Sequence, residues 1–563
     1  MKKKIALGIG GALLLVIIVL LLLPGPSRTR VPDQAYILYN ANVITVDAKN
    51  PRAEAVAMKD GKIIFVGSSK DALAMALPGA KKVDLKGRTV IPGFNDNHTH
   101  ALAAGNFYLQ PLLWGKTCEE IAAIVMAEAA KKKPGEPVRG NSWDYDRCPN
   151  PDRAMLDAAA PDNPVFLMQY SGHAAWVNSY KLKEMGIDRN TKDPKGGQIV
   201  RNAQGEPTGV LRDEAMGSSP YGDFVKAWFS EDLHRTIMDK ALQLFRENGI
   251  TSVQDNTWEP FTNRLLYRYD MAGTLTTRFD CWPQGGSILY TLFNWFAKFD
   301  PPMMTRGPVK YFADGAFSTR TGWMIEPYAD EPGNHGSPRY SVEELEKIVT
   351  EAAASKTRLS FHAIGDRAVT ELLNAFEKAQ EKYPWTRELR MRIEHVQIVK
   401  PGDFERMKKL GVVACVQPFA AYNPPKDEKL LGPERAKRAY PYKSLVRAGV
   451  PVALGSDNPA EVDFQPLLNI YYAVTRKSKD GTAGPLNPDE RLTPEEALYC
   501  YTMGSAYAEF KENEKGSLTP GKLADLAVLS KDLTRVYPDE IKGIEVLATV
   551  TGGRVVFDKG AVF

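Results

Sequence analysis

Seven histidines are spread over the 563-residue chain, at positions 98, 100, 173, 234, 335, 362 and 395. His98 and His100 close an apolar run that passes a Pro-Gly corner, VIPGFNDNHTH at 90–100. Alternate side chains of a strand share a face, so these two imidazoles point to the same side and can chelate one cation. Alone, such a pair is a weak motif. Its weight comes from other strand-like runs that carry chemistry: His362 in RLSFH, His395 in MRIEHVQ, Asp457 in PVALGSD and Lys310 in PVKYFAD. Each has a bland alternative, since a strand-end His often only bonds a loop, Asp457 can cap a helix and Lys310 can pair with a carboxylate. Their joint occurrence favours one metal site built from His98, His100, Lys310, His362, His395 and Asp457. Zinc suits so histidine-rich a set, although manganese, iron or cobalt could substitute.

The elements needed to gather these residues are legible as eight strands. They are read at 90–100, 249–256, 275–282, 308–314, 358–362, 391–397, 412–417 and 451–457, with helical patterns such as 342–355 and 368–383 between them. That alternation predicts an α/β protein with a (β/α)8 TIM barrel, whose chemistry sits at the carboxyl ends of the strands. The stretch 104–231 is too long for a connection and is read as an inserted lid subdomain. It contains Trp143, Tyr145, Tyr170, His173 and Trp176. Trp143 and His173 of this lid, with Arg320 and Gln417, are the candidate substrate-binding residues. Strand-rich pieces at 34–92 and 510–563 predict one small β-sandwich built from both termini, leaving 93–509 for the barrel.

Bulk properties narrow the function. Apolar content of 44% and charged content of 25% are those of a globular enzyme. A net charge of +4, with no basic tract beyond Lys2, Lys3, Lys4 and Lys131, Lys132, Lys133, gives no electrostatic case for nucleic acid. Five scattered cysteines without a CxxC pair argue against a thiolate zinc site and a dense disulfide framework, and leave any pairing open. The three leading lysines precede an apolar run at 5–23 that ends at Pro24. Its nineteen residues would span roughly 28 Å as a helix. The expectation is therefore an uncleaved single-pass membrane anchor at 1–30 with the enzyme extracytoplasmic or periplasmic. Cleavage near Ser27 and secretion is the competing reading. A homodimer is left open.

Seven stretches carry a family resemblance: VIPGFNDNHTH (90–100), SGHAAWVNS (171–179), VKYFADGAFSTRTG (309–322), FHAIGDRA (361–368), RIEHVQI (392–398), VALGSDNPAE (452–461) and GSLTPGKLADLAVL (516–529). With them the chain resembles the amidohydrolase superfamily, and within it amidohydrolase family 3, which includes N-substituted formamide deformylases. The resemblance implies a hydrolase of carbon–nitrogen, but not peptide, bonds in a small amide-like substrate. It implies that His98 and His100 hold one Zn²⁺, that His362 and His395 hold a second, and that Asp457 binds the first ion and the attacking water. Asp457 would then pass a proton to the departing nitrogen. Lys310 is similar in position to the lysine that such enzymes carboxylate to bridge two ions; a plain lysine with a single ion is the alternative. Departures at Asn95-Asp96-Asn97 and Gly322-Trp323 would line the pocket and leave the substrate open. Rival readings are a deaminase or cyclic-amide hydrolase on the same barrel, or a non-catalytic binding protein. Arg320, Asp366 and Glu394 are expected to orient ligands, Asp314 and Gln417 to line the pocket, and His234 and His335 to be structural or superficial.

Overall fold

The computed structural model of the chain describes residues 29, 34–194, 196–217, 231–256, 262–286, 299–419, 424–459 and 463–563. Its centre is a set of eight parallel strands: β1 (Phe94–Thr99), β2 (Ile250–Asp255), β3 (Arg278–Cys281), β4 (Val309–Phe312), β5 (Leu359–Ala363), β6 (Arg392–His395), β7 (Val413–Val416) and β8 (Val452–Leu454). Strands β1, β2 and β3 pair in one sheet, which the short strand Met304–Arg306 extends beyond β3. Strands β4 to β8 pair in another. The two sheets meet on both sides. On one side Gln284, just past β3, bridges Lys310 of β4, with the Lys310 N–H donating to the Pro283 carbonyl at 2.9 Å. On the other, Thr99 bridges Asn458, and the Asp457 N–H donates to the His98 carbonyl at 2.7 Å.

Parallel strands covered on both faces tolerate few exposed side chains, and β5, β6, β7 and β8 are buried throughout. Helices between them supply the cover. Val342–Ala354 starts at a capping box of Ser341 and Glu344, which satisfies two end-of-helix amides. Asp366–Lys382 buries Ala368, Val369, Leu372, Leu373 and Phe376 at helical spacing against the strands and keeps charges outside.

Two further sheets lie beside the parallel strands in the chain, and one of them combines strands from both ends. In the six-stranded one, Thr89–Pro92 lies between Asn42–Ile44 and Leu526–Leu529, antiparallel to the latter. The four-stranded one holds Tyr36–Tyr39, Ala55–Lys59, Lys62–Gly67 and Lys81–Asp84. Leu38, Val43, Val56, Leu526, Val528 and Val550 share one apolar cluster. Thr89–Pro92 continues through Gly93 into β1, so this sheet sets where the first histidine pair begins. Arg278 at the base of β3 is locked to Asp525 by paired bonds of 2.7 and 2.9 Å, both side chains buried.

Between β1 and β2 a five-stranded sheet runs in the order Gly197–Arg201, Pro207–Asp213, Ala174–Val177, Val165–Gln169, Val138–Trp143. The helix Cys118–Ala129 packs on it, and a disulfide joins Cys118 to Cys148. This is the pairing the sequence left open; Cys281, Cys415 and Cys500 are buried free thiols.

The localisation expected from sequence is corrected. The apolar run at 5–23 lies outside the described residues. Among the described residues no helix is long and apolar enough to cross a membrane. The longest helices, Glu231–Glu247 and Asp366–Lys382, have 17 residues and carry charged faces, where a span needs about 20 apolar ones. No described helix therefore supports a single-pass anchor or the membrane as a partner.

Candidate metal centre

His98 and His100 leave β1 on the same side, as their spacing requires. The His98 Nδ1 sits 2.7 Å from Glu394 Oε2, so this edge carries the hydrogen and the Nε2 edge carries the lone pair. Nε2 lies 3.2 Å from Lys310 Nζ and 3.4 Å from Asp457 Oδ1. The same Asp457 oxygen is 3.2 Å from His100 Nε2, while His100 Nδ1 faces the Asn256 carbonyl at 3.2 Å. One ligand atom each from His98, His100 and Asp457 lies within 4.8 Å of the others. From the second sheet come His395, whose ring is 5.2 Å from that of His98, and His362, whose ring is 4.3 Å from that of His395. Gln417 Oε1 accepts from His395 Nδ1 at 2.8 Å, and the Gly315 carbonyl faces His362 Nε2 at 3.0 Å.

Two of these positions are held in left-handed backbone, His395 at φ 77° and Asp457 at φ 55°. Such conformations cost a non-glycine residue about 1–3 kcal/mol each and persist where the surroundings enforce them, most often at functional sites. Here the Asp457 N–H bond to the His98 carbonyl does the enforcing across the seam between β1 and β8.

Burial sets the charge state. It takes His98, His362 and His395 well below the ordinary imidazole range, and neighbouring cationic groups push the same way. These rings are therefore neutral ligands. Burial would raise Asp457, but His98, His100 and Lys310 outweigh it and bring the carboxyl down to about 2. Burial lowers Lys310 to about 8, against the pull of Glu394 and Asp457. Neutral imidazoles around one ionised carboxylate are a nitrogen–oxygen donor set that fits a borderline divalent ion.

The remaining candidates fall in several places. His173, just before the strand Ala174–Val177, does reach the cluster: its ring is 5.7 Å from that of His362. Asp213 Oδ1 holds its Nδ1 at 2.7 Å, and Arg339 holds Asp213 at 3.4 Å. Asp213 was not singled out from sequence, where forty residues separate it from His173; its one signal was that, like Asp457, it ends an apolar strand. Trp143 is fully buried in the core of the inserted sheet, its indole N–H donating to the Leu167 carbonyl at 2.9 Å. Arg320 is engaged by Asp330 at 2.6 Å and Glu331 at 3.2 Å. Asp314 accepts three backbone N–H groups, from Trp323, Ile364 and Gly365. Asp366 accepts the Ile325 N–H. His335 is exposed and faces the Ile325 carbonyl, and His234 lies on the helix Glu231–Glu247. Asn95 donates to Glu509 at 2.6 Å, and Asp96 Oδ1 accepts from the His98 and Ser456 amides. Both thus bind protein groups, Asp96 at the seam between β1 and β8. Trp323 is buried, with the Arg367 guanidinium over its ring.

A buried imidazole–carboxylate cluster at the carboxyl ends of parallel strands defines a class, the metal-dependent hydrolases. The model of the amidohydrolase family matches residues 81–557, and the chain belongs to that family. Protein LONG AFTER FAR-RED 3 of Arabidopsis thaliana is 31% identical over 92% of this chain and 91% of its own. N-substituted formamide deformylase of Arthrobacter pascens is 30% identical over 93% of this chain and 98% of its own. Among solved structures, an uncharacterized metal-dependent hydrolase from Pyrococcus horikoshii OT3 superposes with a TM-score of 0.73 at 26% identity, covering 90% of this chain and 99% of that one. The protein is a metal-dependent amidohydrolase, a hydrolase of carbon–nitrogen bonds.

Proposed function

We propose that this chain hydrolyses a small amide-like substrate at a zinc centre, with His98, His100 and Asp457 holding one ion and His362 and His395 a second. The observation that carries the reading is the convergence of His98, His100 and Asp457 atoms within 4.8 Å, with His98 already fixed in its ligating tautomer by Glu394. The architecture that goes with it is a closed (β/α)8 barrel at 93–509, supported by the bridges on both sides of the two sheets. The β-sandwich at 34–92 and 510–563 and the lid at 104–231 are its attachments.

Zinc, when bound, supplies Lewis acidity toward the substrate carbonyl and toward water. The chain supplies the proton traffic. Asp457, kept ionised by the groups beside it, takes the proton from the attacking water and delivers it to the leaving nitrogen, which departs as an amine. His173, braced by Asp213, stands over His362 and binds the substrate carbonyl or its acyl neighbour. Lys310 would help hold both ions as a carbamate. Its neutral amine would add to CO2, the new C–N bond forming as one C=O π bond opens to C–O⁻ and one N–H proton is released, and its lowered pKa of about 8 makes that neutral form accessible near neutrality. The relative from Arthrobacter pascens is named for N-substituted formamides, so formamides and simple amides form the first panel. The zinc-loaded full chain is expected to release acid and amine from at least one of them. A fully loaded preparation that cleaves none of the panel refutes the amide reading.

A further inference from the structure

Arg392 lies two residues before Glu394 on β6 and is fully buried between the two parallel sheets. All three nitrogens of its guanidinium are used. Nε donates to Glu394 Oε1 at 2.8 Å, and Nη2 donates to the Asn97 carbonyl at 2.9 Å and reaches Glu394 Oε2 at 3.3 Å. Nη1 donates to the Gln254 side-chain oxygen, and the Gln254 amide in turn donates to the Ser505 carbonyl at 2.8 Å. The face of the guanidinium lies 4.3 Å from the centroid of the Trp282 ring. Glu394 receives, besides Arg392, the Ser360 hydroxyl at 2.8 Å and His98 Nδ1 at 2.7 Å.

The polarity of this network has one solution. A guanidinium only donates and an ionised carboxylate only accepts, so the His98 nitrogen that meets Glu394 must carry the hydrogen. The lone pair is left on Nε2, the atom 3.4 Å from Asp457 Oδ1. Without its guanidinium partner, Glu394 would lose the bonds that hold its two oxygens in place and would be free to turn away from His98 Nδ1. That movement would release His98.

We propose that Arg392 is a positioning residue for metal capture. By pinning Glu394 it fixes the tautomer and ring orientation of His98, and thereby sets the affinity of the centre for a divalent ion. The proposal rests on the metal-centre reading given above. Lysine cannot take its place, because a single ammonium does not span Glu394, Asn97 and Gln254 at once.

Two measurements on the full chain test it. In the first, zinc affinity is read by competition with a chromophoric chelator for the parent and for Arg392→Lys, Arg392→Met and Ser360→Ala. The two Arg392 variants are expected to lose about 10–100-fold in affinity, with a smaller loss for Ser360→Ala. A folded Arg392 variant that binds zinc within about twofold of the parent overturns the proposal, being well short of that loss. Because removing a buried cation can unfold the chain, the second measurement uses the unsubstituted, metal-free protein. Nitrogen-15 histidine spectra, with His98 assigned by its loss in His98→Asn, are expected to show a neutral ring protonated on Nδ1 with slow exchange. A His98 ring protonated on Nε2 overturns the proposal even if no Arg392 variant folds. A parent chain that takes up no zinc overturns the metal-centre reading instead, and the tautomer spectrum tells the two failures apart.

Discussion

Asp457 stands where the charge of the centre is decided. Its carboxylate faces His98 at 3.4 Å, His100 at 3.2 Å and His395 at 3.9 Å, which in the proposed centre places it both to hold an ion and to take a proton from water. Asp457→Asn keeps an oxygen ligand and the shape of the side chain but cannot take the proton. Fold and most of the bound metal are expected to survive, while turnover falls about 10²–10⁴-fold, the usual worth of a positioned general base. Turnover assayed alongside metal content checks this; near-parental rate at equal loading would remove Asp457 from the proton path. Residues of this kind were legible because the chain places them at the ends of apolar runs, where few other histidines fall. Arg392 and Asp213 were not. Each bears on a histidine distant in the written order, Arg392 through Glu394 on His98 and Asp213 directly on His173, and no spacing joins them. Trp143 shows the opposite limit, since an aromatic in a lid reads the same whether it walls a pocket or, as here, fills a core.

At the scale of elements, runs read at 249–256 and 412–417 form strands at Ile250–Asp255 and Val413–Val416; both are short and buried throughout, the second wholly apolar and the first holding Thr251, Ser252 and Gln254 inside as well. The inserted sheet was legible only as an excess of length. Its five short strands pair both parallel and antiparallel, with register shifts at Met168/Gln169 and Ile199/Arg201, and alternation does not survive such irregularity. What holds this unit is partly covalent. The Cys118–Cys148 bond closes a loop of 30 residues, from the first turn of the helix to the segment just after Trp143. Closure of such a loop restricts the unfolded chain by about 3.6 kcal/mol. Cys118→Ser with Cys148→Ser is therefore expected to leave the parallel strands folded and to speed limited proteolysis within 104–217 at least tenfold, by roughly the population shift that 1.4 kcal/mol or more produces. Digestion timed with and without reductant measures it. Unchanged cleavage in the insert would show that its packing alone suffices.

The whole molecule is organised by a sheet that neither terminus can complete alone. Leu526–Leu529 lies between Thr89–Pro92 and Val546–Thr551, and Thr89–Pro92 runs straight into the strand that carries His98. Removing everything after Lys522 would strip Thr89–Pro92 of its antiparallel neighbour, expose Leu38, Val43 and Val56 from their shared cluster, and leave Arg278 buried without Asp525. An open apolar edge of this length recruits other chains. The truncated protein is expected to be insoluble, although every residue of the proposed centre is still present. A gentler variant separates the charge from the sheet. Asp525→Asn retains all the strands and loses the carboxylate that faces the Arg278 guanidinium at 2.7 and 2.9 Å. Breaking a buried pair from one side costs about 3–5 kcal/mol, so its cooperative unfolding in denaturant should begin at lower concentration with the slope unchanged. If Asp525→Asn unfolds like the parent, Arg278 is satisfied without it, and the link between the base of β3 and the terminal sheet is carried by apolar packing instead.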